Sequence, residues 1–481
     1  PRYTVYTQWQ KRSIVVGAAV CAFFNPLTAQ VYLPALNVLS KEFNVTPADI
    51  NLTVTTYMVF QGLTPTLFGG FTDTFGRRPG YIVCFVVYIA ANIALALADR
   101  YRQLLIVRCL QSAGSATVMV LCQAVVADII TSAERGQYIG ITAIPSILGP
   151  SMGPVIGGAL TKFLGWRSIF WFLTICAGVN FALLLCFLPE TCRKVVGDGS
   201  IRPPPMYRTL VQTIRYRRHP EGVAEQNMES LEKHPDEMQN VSKWKFATRH
   251  LFASVVLLRD VEFLFLLLCG GIVFSGVYAI GTAMPHQFAT LYGFDDLEVG
   301  LMYLPLVGGS IVAVVVVGPG MNWNYRRHAR RLGFPIDRRR RMDLHGFPIE
   351  KVRLQVALPL LALGAAVVAS WGWVTVNEVE IEKVCIIVFF IGVSLVGVNN
   401  AINALIVDIF PEKAGAALAA YNLVKCLMGA VASGVIDLLI AAVGLGKAFT
   451  VFGALYLLLI PIMVLVMWRG VDWREQRRER E

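Results

Sequence analysis

The chain has 481 residues, of which 55% are hydrophobic and 16% are charged, and its mean hydropathy is +0.57. A chain of this size and apolarity cannot cover its surface with polar side chains, so the composition excludes a soluble globular protein and indicates a membrane protein with several spans. The net charge of +11 is explained by basic loops, as argued below, and we expect no nucleic-acid partner.

The sequence shows no motif for an enzyme, a metal site or a cofactor. Nine of the ten cysteines lie in predicted spans, all but Cys192, and no Cys/His spacing resembles a metal site. A nucleotide-binding loop and a nucleophile elbow are absent as well. We therefore predict that the protein is not an enzyme, binds no cofactor, and does not use ATP.

Twelve apolar stretches are long enough to cross a bilayer at about 1.5 Å per residue. They lie at 14–36, 51–71, 80–98, 103–127, 138–161, 166–188, 260–285, 298–318, 354–375, 384–407, 415–440 and 447–468. The pattern predicts an all-α membrane protein with 12 transmembrane helices in two pseudo-symmetric six-helix bundles. The predicted domains are an N-terminal bundle at 1–188, a cytosolic linker at 189–259, a C-terminal bundle at 260–468 with a basic cytosolic loop at 319–353, and a cytosolic tail at 469–481.

The basic residues predict which side of the membrane each loop occupies. If both termini are cytosolic, 34 of the 43 Lys and Arg residues lie on the cytosolic side and 7 on the other. The run Arg338–Arg341 then reads as a topology anchor that binds anionic lipid headgroups. We expect a multi-pass protein of the plasma membrane, with the vacuolar membrane as the alternative. Because the chain begins with Pro1 rather than Met, we also expect missing N-terminal residues.

An internal echo supports two related halves. Asp128 closes the fourth span and Asp408 closes the tenth, and each is followed by an acidic–basic pair. A parallel repeat of six spans would produce this echo.

The fifth span carries regularly spaced glycines and prolines. Gly149, Gly153 and Gly157 share one helix face by their spacing of four, so a neighbouring helix can approach closely there. Prolines remove backbone donors and make the helix bendable. We predict that this stretch forms part of a moving contact between the two halves, through Gly149, Pro150, Gly153, Pro154, Gly157 and Gly158. The alternative is an ordinary close-packed helix pair.

The stretch from Gly69 to Pro79 resembles the loop between spans two and three of the major facilitator superfamily. The resemblance implies gating roles for Gly69, Asp73, Gly76, Arg77 and Arg78. In that family an acid at this place meets the start of span eleven, here near Ala414, and latches the cytosolic side shut. Gly76 permits the tight turn, and the two arginines hold the loop in the cytosol.

Further stretches resemble particular subgroups of this superfamily. Arg108 to Gly114 is similar to the fourth-span motif of the superfamily, and Gly149 to Gly158 is similar to the fifth-span signature of its proton-driven antiporters. Tyr32–Leu36 and Leu188–Thr191 resemble the drug:proton antiporters with twelve spans, within which the chain looks like the fungal quinidine-resistance and secondary-metabolite efflux type. The first span lacks the carboxylate thought to carry protons in several members.

Two cations lie inside predicted spans. Arg108 lies roughly 7 Å into the fourth span and Lys425 roughly 16 Å into the eleventh, near the midplane. Two readings stay open for both: they donate to neighbouring carbonyl, Asn or Gln groups, or they face a central cavity and favour neutral or anionic amphiphiles. A buried lysine costs about 3 kcal/mol unless it meets water or a partner. Lys425 is also a candidate carrier of the coupled proton.

Other polar residues in the spans are candidates for the substrate or proton pathway. Each is alternatively a helix–helix hydrogen bond, although Asn399 and Asn403 share a face by their spacing. The candidates are Gln30, Tyr57, Gln61, Gln111, Gln123, Asn399, Asn403, Tyr421 and Asn422.

The resemblance implies proton-coupled efflux of small amphiphilic organic compounds, such as a drug or a fungal secondary metabolite, by alternating access. The expected partners are a neutral or anionic small molecule, protons and membrane lipids, and we expect a monomer. An uptake symporter of the same fold and a non-transporting membrane sensor are the alternatives. The Cys192 that follows Leu188–Thr191 departs from the sugar-porter pattern and argues against the symporter.

Overall fold

A computed structural model describes residues 4–130, 135–197, 199, 201, 203–204, 207–213, 260–333, 347–377, 379–410 and 414–480. Side chains are described for most of these; those of 69–75 are among the exceptions. The predicted linker beyond residue 213, residues 334–346 of the basic loop, and the side chain of Asp73 therefore lie outside the described residues. Over the described residues the chain is helical and contains no strand.

The described residues contain twelve long helices, numbered α1 to α12, which correspond one to one with the twelve predicted spans. They are α1 Gln8–Val31, α2 Pro47–Phe75, α3 Arg77–Ala96, α4 Tyr101–Ile129, α5 Arg135–Leu164, α6 Arg167–Phe187, α7 Val261–Leu291, α8 Leu304–Arg331, α9 Ile349–Val376, α10 Ile381–Ile409, α11 Ala414–Val443 and α12 Leu445–Arg480. Ten helices meet the length and hydropathy of a membrane span over the described residues. The other two, α2 and α5, have 29 and 30 residues. The predicted all-α class is confirmed.

Two predicted spans, 14–36 and 298–318, each contain a proline at which the helix is interrupted. The first helix ends at Val31, and Leu33–Ala35 forms a 3₁₀ turn around Pro34 before a short helix, Leu36–Glu42. The eighth predicted span likewise divides into a short helix, Asp296–Leu301, and α8, which has Pro305 in its first turn. Proline lacks the amide that would continue the preceding helix, and its fixed φ suits a first turn.

Contacts divide the chain into two compact units whose boundaries fall inside α1, α2 and α5. The first unit comprises residues 1–30, 63–153 and 167–251. Its hydrophobic core joins α1, α3, α4 and α6 through residues such as Phe24, Phe85, Leu121 and Ala177. The Phe24 and Phe85 rings meet edge to face, with centroids 5.7 Å apart, which is a favoured aromatic geometry.

The second unit comprises residues 31–62, 154–166 and 252–481. Within it, α8 and α10 cross at backbone distance, because a Cβ on Gly309 would overlap the carbonyl oxygen of Phe389, and one on Gly392 that of Leu306. Close approach through small residues is how membrane helices gain packing energy without a hydrophobic driving force. The predicted domain bounds, which fall in loops, stay a prediction.

Two helices continue beyond their apolar stretches. The last two turns of α8 carry Arg326, Arg327, Arg330 and Arg331, and α12 continues to Arg480 through the predicted tail. Arginine and glutamate are good helix formers, so loss of hydropathy ends a membrane span without ending the helix. We call the membrane end at which α1 ends and α2 begins the distal end, and the opposite end the proximal end.

Candidate functional site

Lys425 lies on α11 between two aromatic rings. Its ammonium is 4.9 Å from the centroid of Phe274 on α7 and 4.7 Å from that of Tyr421, one turn earlier on α11. The side chain is half-buried, and no carboxylate pairs with it among the residues that the structure describes. Each ring contact stabilises the cation by about 0.5–2 kcal/mol. The rings therefore offset much of the cost of placing a lysine here while leaving its charge uncancelled.

A hydrogen-bonded group of α10 and α11 adjoins this lysine. The Tyr421 hydroxyl donates to Asn399 Oδ1 at 3.0 Å, and Asn403 Nδ2 donates to the same oxygen at 3.3 Å. The predicted shared face of the two asparagines is confirmed. The structure thus brings together Lys425, Tyr421, Asn399 and Asn403, whereas Asn422 contacts Cys426 instead.

Two candidates on α2 lie along the helix that packs against α11. A Cβ on Gly62 would lie 3.0 Å from Cys426 Cβ, so α2 and α11 run close together beside Lys425. Tyr57 is buried, and the Gln61 Oε1 atom has no hydrogen-bond donor within the described part of the chain. An unsatisfied buried oxygen costs about 1–3 kcal/mol, which makes Gln61 ready to accept from a ligand or water.

Arg108 lies within the first unit and is 1% exposed. Its Nη1 atom donates to Gln111 Oε1 at 2.5 Å, and Gln111 Nε2 donates to Asn92 Oδ1 at 2.7 Å. These hydrogen bonds match the first of the two interpretations given above, in which Arg108 donates to neighbouring polar groups. Gln30 is half-buried on α1 in the same unit. Transport roles for Arg108, Gln111 and Gln30 stay predictions.

Specific side-chain contacts hold the turn between α2 and α3, in addition to the positive charge that keeps it in the cytosol. Gly76 has φ +97°, so the predicted tight turn is confirmed and favours glycine. Arg77 Nε donates to Asp128 Oδ2 at 2.9 Å. Arg78 is 3% exposed and donates to carbonyls at the end of α6, among them that of Leu188. Gly69 and Asp73 belong to the stretch 69–75 of α2, whose side chains are not among those that the structure describes.

The glycines of α5 give it the predicted close approach. A Cβ on Gly149 would lie 2.7 Å from Pro26 of α1, and one on Gly157 would overlap the carbonyl oxygen of Val31. A Cβ on Gly158 would overlap the carbonyl oxygen of Asp296, just before α8. Gly153 and Pro154 are buried, and Pro150 is half-buried. Gating by these residues stays a prediction.

Comparison with known proteins identifies the family. The profile of the Major Facilitator Superfamily matches residues 18–433. The chain belongs to the major facilitator superfamily. It is 40% identical over 479 residues to the MFS-type transporter phiD of a fungal species, covering 100% of this chain and 71% of that protein. It is also 32% identical to Citrate exporter 1 of Aspergillus niger, covering 100% and 90%.

A solved structure agrees on the fold. The crystal structure of a D-xylose-proton symporter superposes with a TM-score of 0.64 at 15% identity, covering 95% of this chain and 97% of that one. The major facilitator fold, with twelve helices in two six-helix bundles, is therefore confirmed. This superfamily member is a multi-pass membrane transporter of small molecules and not an enzyme.

The transporter also carries partly buried ion pairs that the sequence analysis did not predict. Arg353 Nε donates to Asp408 Oδ2 at 2.9 Å, between the start of α9 and the end of α10. The Arg77–Asp128 pair joins the start of α3 to the end of α4, six helices earlier. The two pairs occupy equivalent positions six helices apart, so the repeat indicated by Asp128 and Asp408 is also present in the contacts. The sequence signal that could have predicted the pairs is an arginine at the start of both the third and the ninth helix.

Glu190, within the stretch Leu188–Thr191, makes contacts that the sequence analysis did not predict. Its carboxylate accepts from the backbone N–H groups of Arg77 and Arg78 at 2.9 and 3.1 Å. A carboxylate at a helix N-terminus pairs with the positive end of the helix dipole. Glu190 thereby fastens the start of α3 to the end of α6.

A charge network ties the last helix to the proximal ends of α7 and α9. Glu262 and Glu350 are both fully buried. Arg477 contacts Glu262 at 2.7 Å, and Arg474 lies 3.6 Å from Glu350. The predicted tail is thus a packed part of α12. The sequence signal that could have predicted this network is an acidic residue near the start of the seventh and the ninth helix, together with arginines at the end of the twelfth.

Arg474→Met is expected to lower the thermal unfolding temperature of the detergent-purified transporter. The substitution keeps the bulk of the side chain and leaves Glu350 buried beside one charge fewer, and removal of one partner from a buried pair costs about 3–5 kcal/mol. The control is Lys383→Met, which removes the partner of Glu380 in an exposed pair worth at most about 1 kcal/mol. Equal unfolding temperatures for the two variants would contradict a stabilising role of the network.

Proposed function

We propose that this transporter exports a small amphiphilic organic compound, neutral or anionic, in exchange for protons. The observation that carries the proposal is Lys425, a cation held between two rings with no carboxylate beside it in the described part of the chain. Such a group attracts an anion or a polar oxygen and repels a cation. The relationship to a protein named Citrate exporter 1 supports export of an anion.

The proposed pathway combines the polar residues already described. Lys425, Tyr421, Asn399 and Asn403 form its core in the second unit, with Gln61 and Tyr57 on α2 and Asn422 on α11. Arg108, Gln111 and Gln30 are its candidates in the first unit. The proton gradient supplies the energy, so no cofactor is required, and the substrate class includes drugs and fungal secondary metabolites.

We further propose that the protein works as a monomer in the plasma membrane with both termini in the cytosol. The excess of basic residues on the proximal side supports that orientation. The distal end then faces outward, and the residues near Gly76 and Gly149–Gly158 act as gates on opposite sides of the pathway. Immunofluorescence of a tagged chain distinguishes the plasma membrane from the vacuolar membrane.

The deciding experiment is transport by the purified protein in sealed vesicles with an imposed pH gradient. The probes are citrate and carboxyfluorescein as anions, Nile red as a neutral amphiphile, and rhodamine 6G as a cation. Gradient-driven movement of the anionic or neutral probes is the expected result. Movement of the cation alone would contradict the charge argument, and movement in the direction of the protons would favour an uptake symporter. No gradient dependence for any probe would overturn proton coupling.

The distal end of α5 and the short helix Asp296–Leu301 offer a test of alternating access. Lys162 Nζ lies 2.6 Å from Asp295 Oδ2, and Asp295 also caps the short helix Asp296–Leu301. The Lys162 hydrogen bond and the backbone N–H of Glu298 lower the pKa of Asp295 below its usual range. The ionised form is therefore favoured at and above the ordinary pKa near 3.9, and the bridge is lost only as pH falls through the lower native value.

Joining this pair with a short bismaleimide in a Lys162→Cys/Asp295→Cys variant is expected to reduce transport at least about tenfold, because the distal end must open in every cycle. Each single-cysteine variant, treated in the same way, is the control for reaction at the native cysteines. Full transport in the crosslinked double variant would show that these two side chains stay together throughout the cycle.

A further inference from the structure

A polar pocket at the distal end of the second unit contains the carboxylate of Asp437, which takes no part in the proposed substrate pathway. The pocket opens to solvent, and the roughly 210 Å³ of its space that is free of protein atoms includes that open solvent. It is lined by Leu36, Asn37, Ser40, Pro47, Ile50, Asn51, Thr282, His286 and Asp437. Six of these nine side chains are polar, which is unusual between helices that otherwise meet through apolar residues. Polar groups in a membrane span mark ion and proton pathways by default.

Asp437 is the acid of this pocket, six residues before the end of α11. Its Oδ2 atom accepts from Asn51 Nδ2 at 2.8 Å, and Asn51 is 2% exposed on α2. Asp437 itself is half-buried and lines the open space. One face of the carboxylate is thus held by protein while another is available to water.

His286 of α7 is the titratable side chain that faces Asp437 across the pocket. The short helix Leu36–Glu42 and α2 contribute neutral groups to the same lining, namely Asn37, Ser40 and Asn51. Asp437 and His286 are therefore the only described lining residues with ionisable side chains, and they belong to different helices.

The Asn51–Asp437 bond continues into a line of contacts between α2 and α11. One turn deeper, the Thr55 hydroxyl contacts the Ser433 hydroxyl at 3.1 Å. Deeper still, Gly62 packs against Cys426, the neighbour of Lys425. Asp437 and Lys425 are twelve residues apart on one helix, about 18 Å by helix rise. A change at the pocket therefore acts on the same two helices that hold the proposed substrate site.

We propose that Asp437, in the pocket that it shares with Asn51 and His286, takes up the coupled proton from the distal aqueous phase. The proton comes from water, the carboxylate becomes neutral, and the hydrogen bond from Asn51 loses its charge assistance. Charge-assisted hydrogen bonds are about twice as strong as neutral ones. Proton uptake therefore loosens α2 from α11 at the distal end. This inference rests on the proposed proton coupling.

The test compares two modes of transport in vesicles, with citrate and carboxyfluorescein as probes. Export driven by a pH gradient requires proton uptake, whereas exchange of labelled for unlabelled probe requires no net proton movement. Asp437→Asn is expected to lose gradient-driven export at least tenfold while retaining exchange, and Asp437→Glu is expected to restore the former. The control is Asp99→Asn, an exposed acid at the same membrane end.

Each outcome has one meaning. Gradient-driven export that survives in Asp437→Asn overturns the inference and leaves proton coupling intact. Equal loss of export and exchange, without rescue by Asp437→Glu, also overturns it, because the residue is then structural. Gradient independence of the unsubstituted protein overturns the proposed function itself. Infrared difference spectra between neutral and mildly acidic pH give a probe-free readout, because the band of a protonated carboxyl group is expected to weaken in Asp437→Asn.

Discussion

Lys425→Gln is expected to reduce gradient-driven movement of anionic or neutral probes at least tenfold. Glutamine keeps the length and a hydrogen-bond donor but removes the charge that the rings of Phe274 and Tyr421 hold in place. A tenfold loss corresponds to about 1.4 kcal/mol of interaction, which is modest for a charge in a site shielded from bulk water. The measurement is the initial rate of probe movement in vesicles at a fixed pH gradient.

A matched control separates this effect from a general loss of charge. Lys383→Gln removes an exposed lysine that pairs with Glu380 at the distal end of α10, and we expect its rate to match that of the unsubstituted protein. Lys425→Arg keeps the charge and is expected to retain more transport than Lys425→Gln. Unchanged transport in Lys425→Gln would exclude both the electrostatic role and the proton-carrying role of this lysine.

The Lys425→Gln variant also shows whether Lys425 or Asp437 carries the coupled proton. If Lys425 carried the coupled proton, Lys425→Gln would lose gradient-driven export and keep probe exchange, as expected above for Asp437→Asn. If Lys425 binds the substrate, both modes fall together. The two variants measured side by side therefore assign the proton to one position on α11 and the substrate to the other.

Apolar stretches were enough to predict the existence of all twelve helices, because a backbone in lipid must satisfy its own hydrogen bonds. They were not enough to predict where helices end. Pro34 ended α1 within a run that was still apolar, and α12 continued to Arg480 after hydropathy had fallen. Helix ends depend on local backbone donors and on ion pairs with distant residues, and sequence spacing does not contain those contacts.

The candidate site was predictable in part for a similar reason. Lys425, Asn399 and Asn403 were found because an isolated polar residue in an apolar stretch requires an explanation, and spacing placed the asparagines on one face. Glu350 and Asp437 were less visible, since an acid near the end of a span looks solvated in sequence. Their burial follows from which helices meet at that depth, a property of tertiary packing.

Gly157→Ala is expected to lower both the unfolding temperature of the detergent-purified transporter and its transport rate. The added Cβ would overlap the carbonyl oxygen of Val31, so α5 and α1 must move apart along a contact made of backbone. A carbonyl group cannot change rotamer to make room, and overpacking of this kind costs about 1–3 kcal/mol. Lost helix–helix packing is not repaid by lipid, which is as apolar as the helices themselves.

Helix propensity predicts the opposite sign, and that makes the experiment decisive. Alanine stabilises a helix interior by about 1 kcal/mol relative to glycine. The control is Gly178→Ala in α6, where no atom lies within 4 Å of the added Cβ and only the propensity gain applies. We expect Gly178→Ala to match or exceed the unfolding temperature of the unsubstituted protein, and Gly157→Ala to fall below it. A Gly157→Ala protein as stable and active as Gly178→Ala would show that α5 and α1 separate at no cost, and the close approach at Gly157 would then have no part in gating.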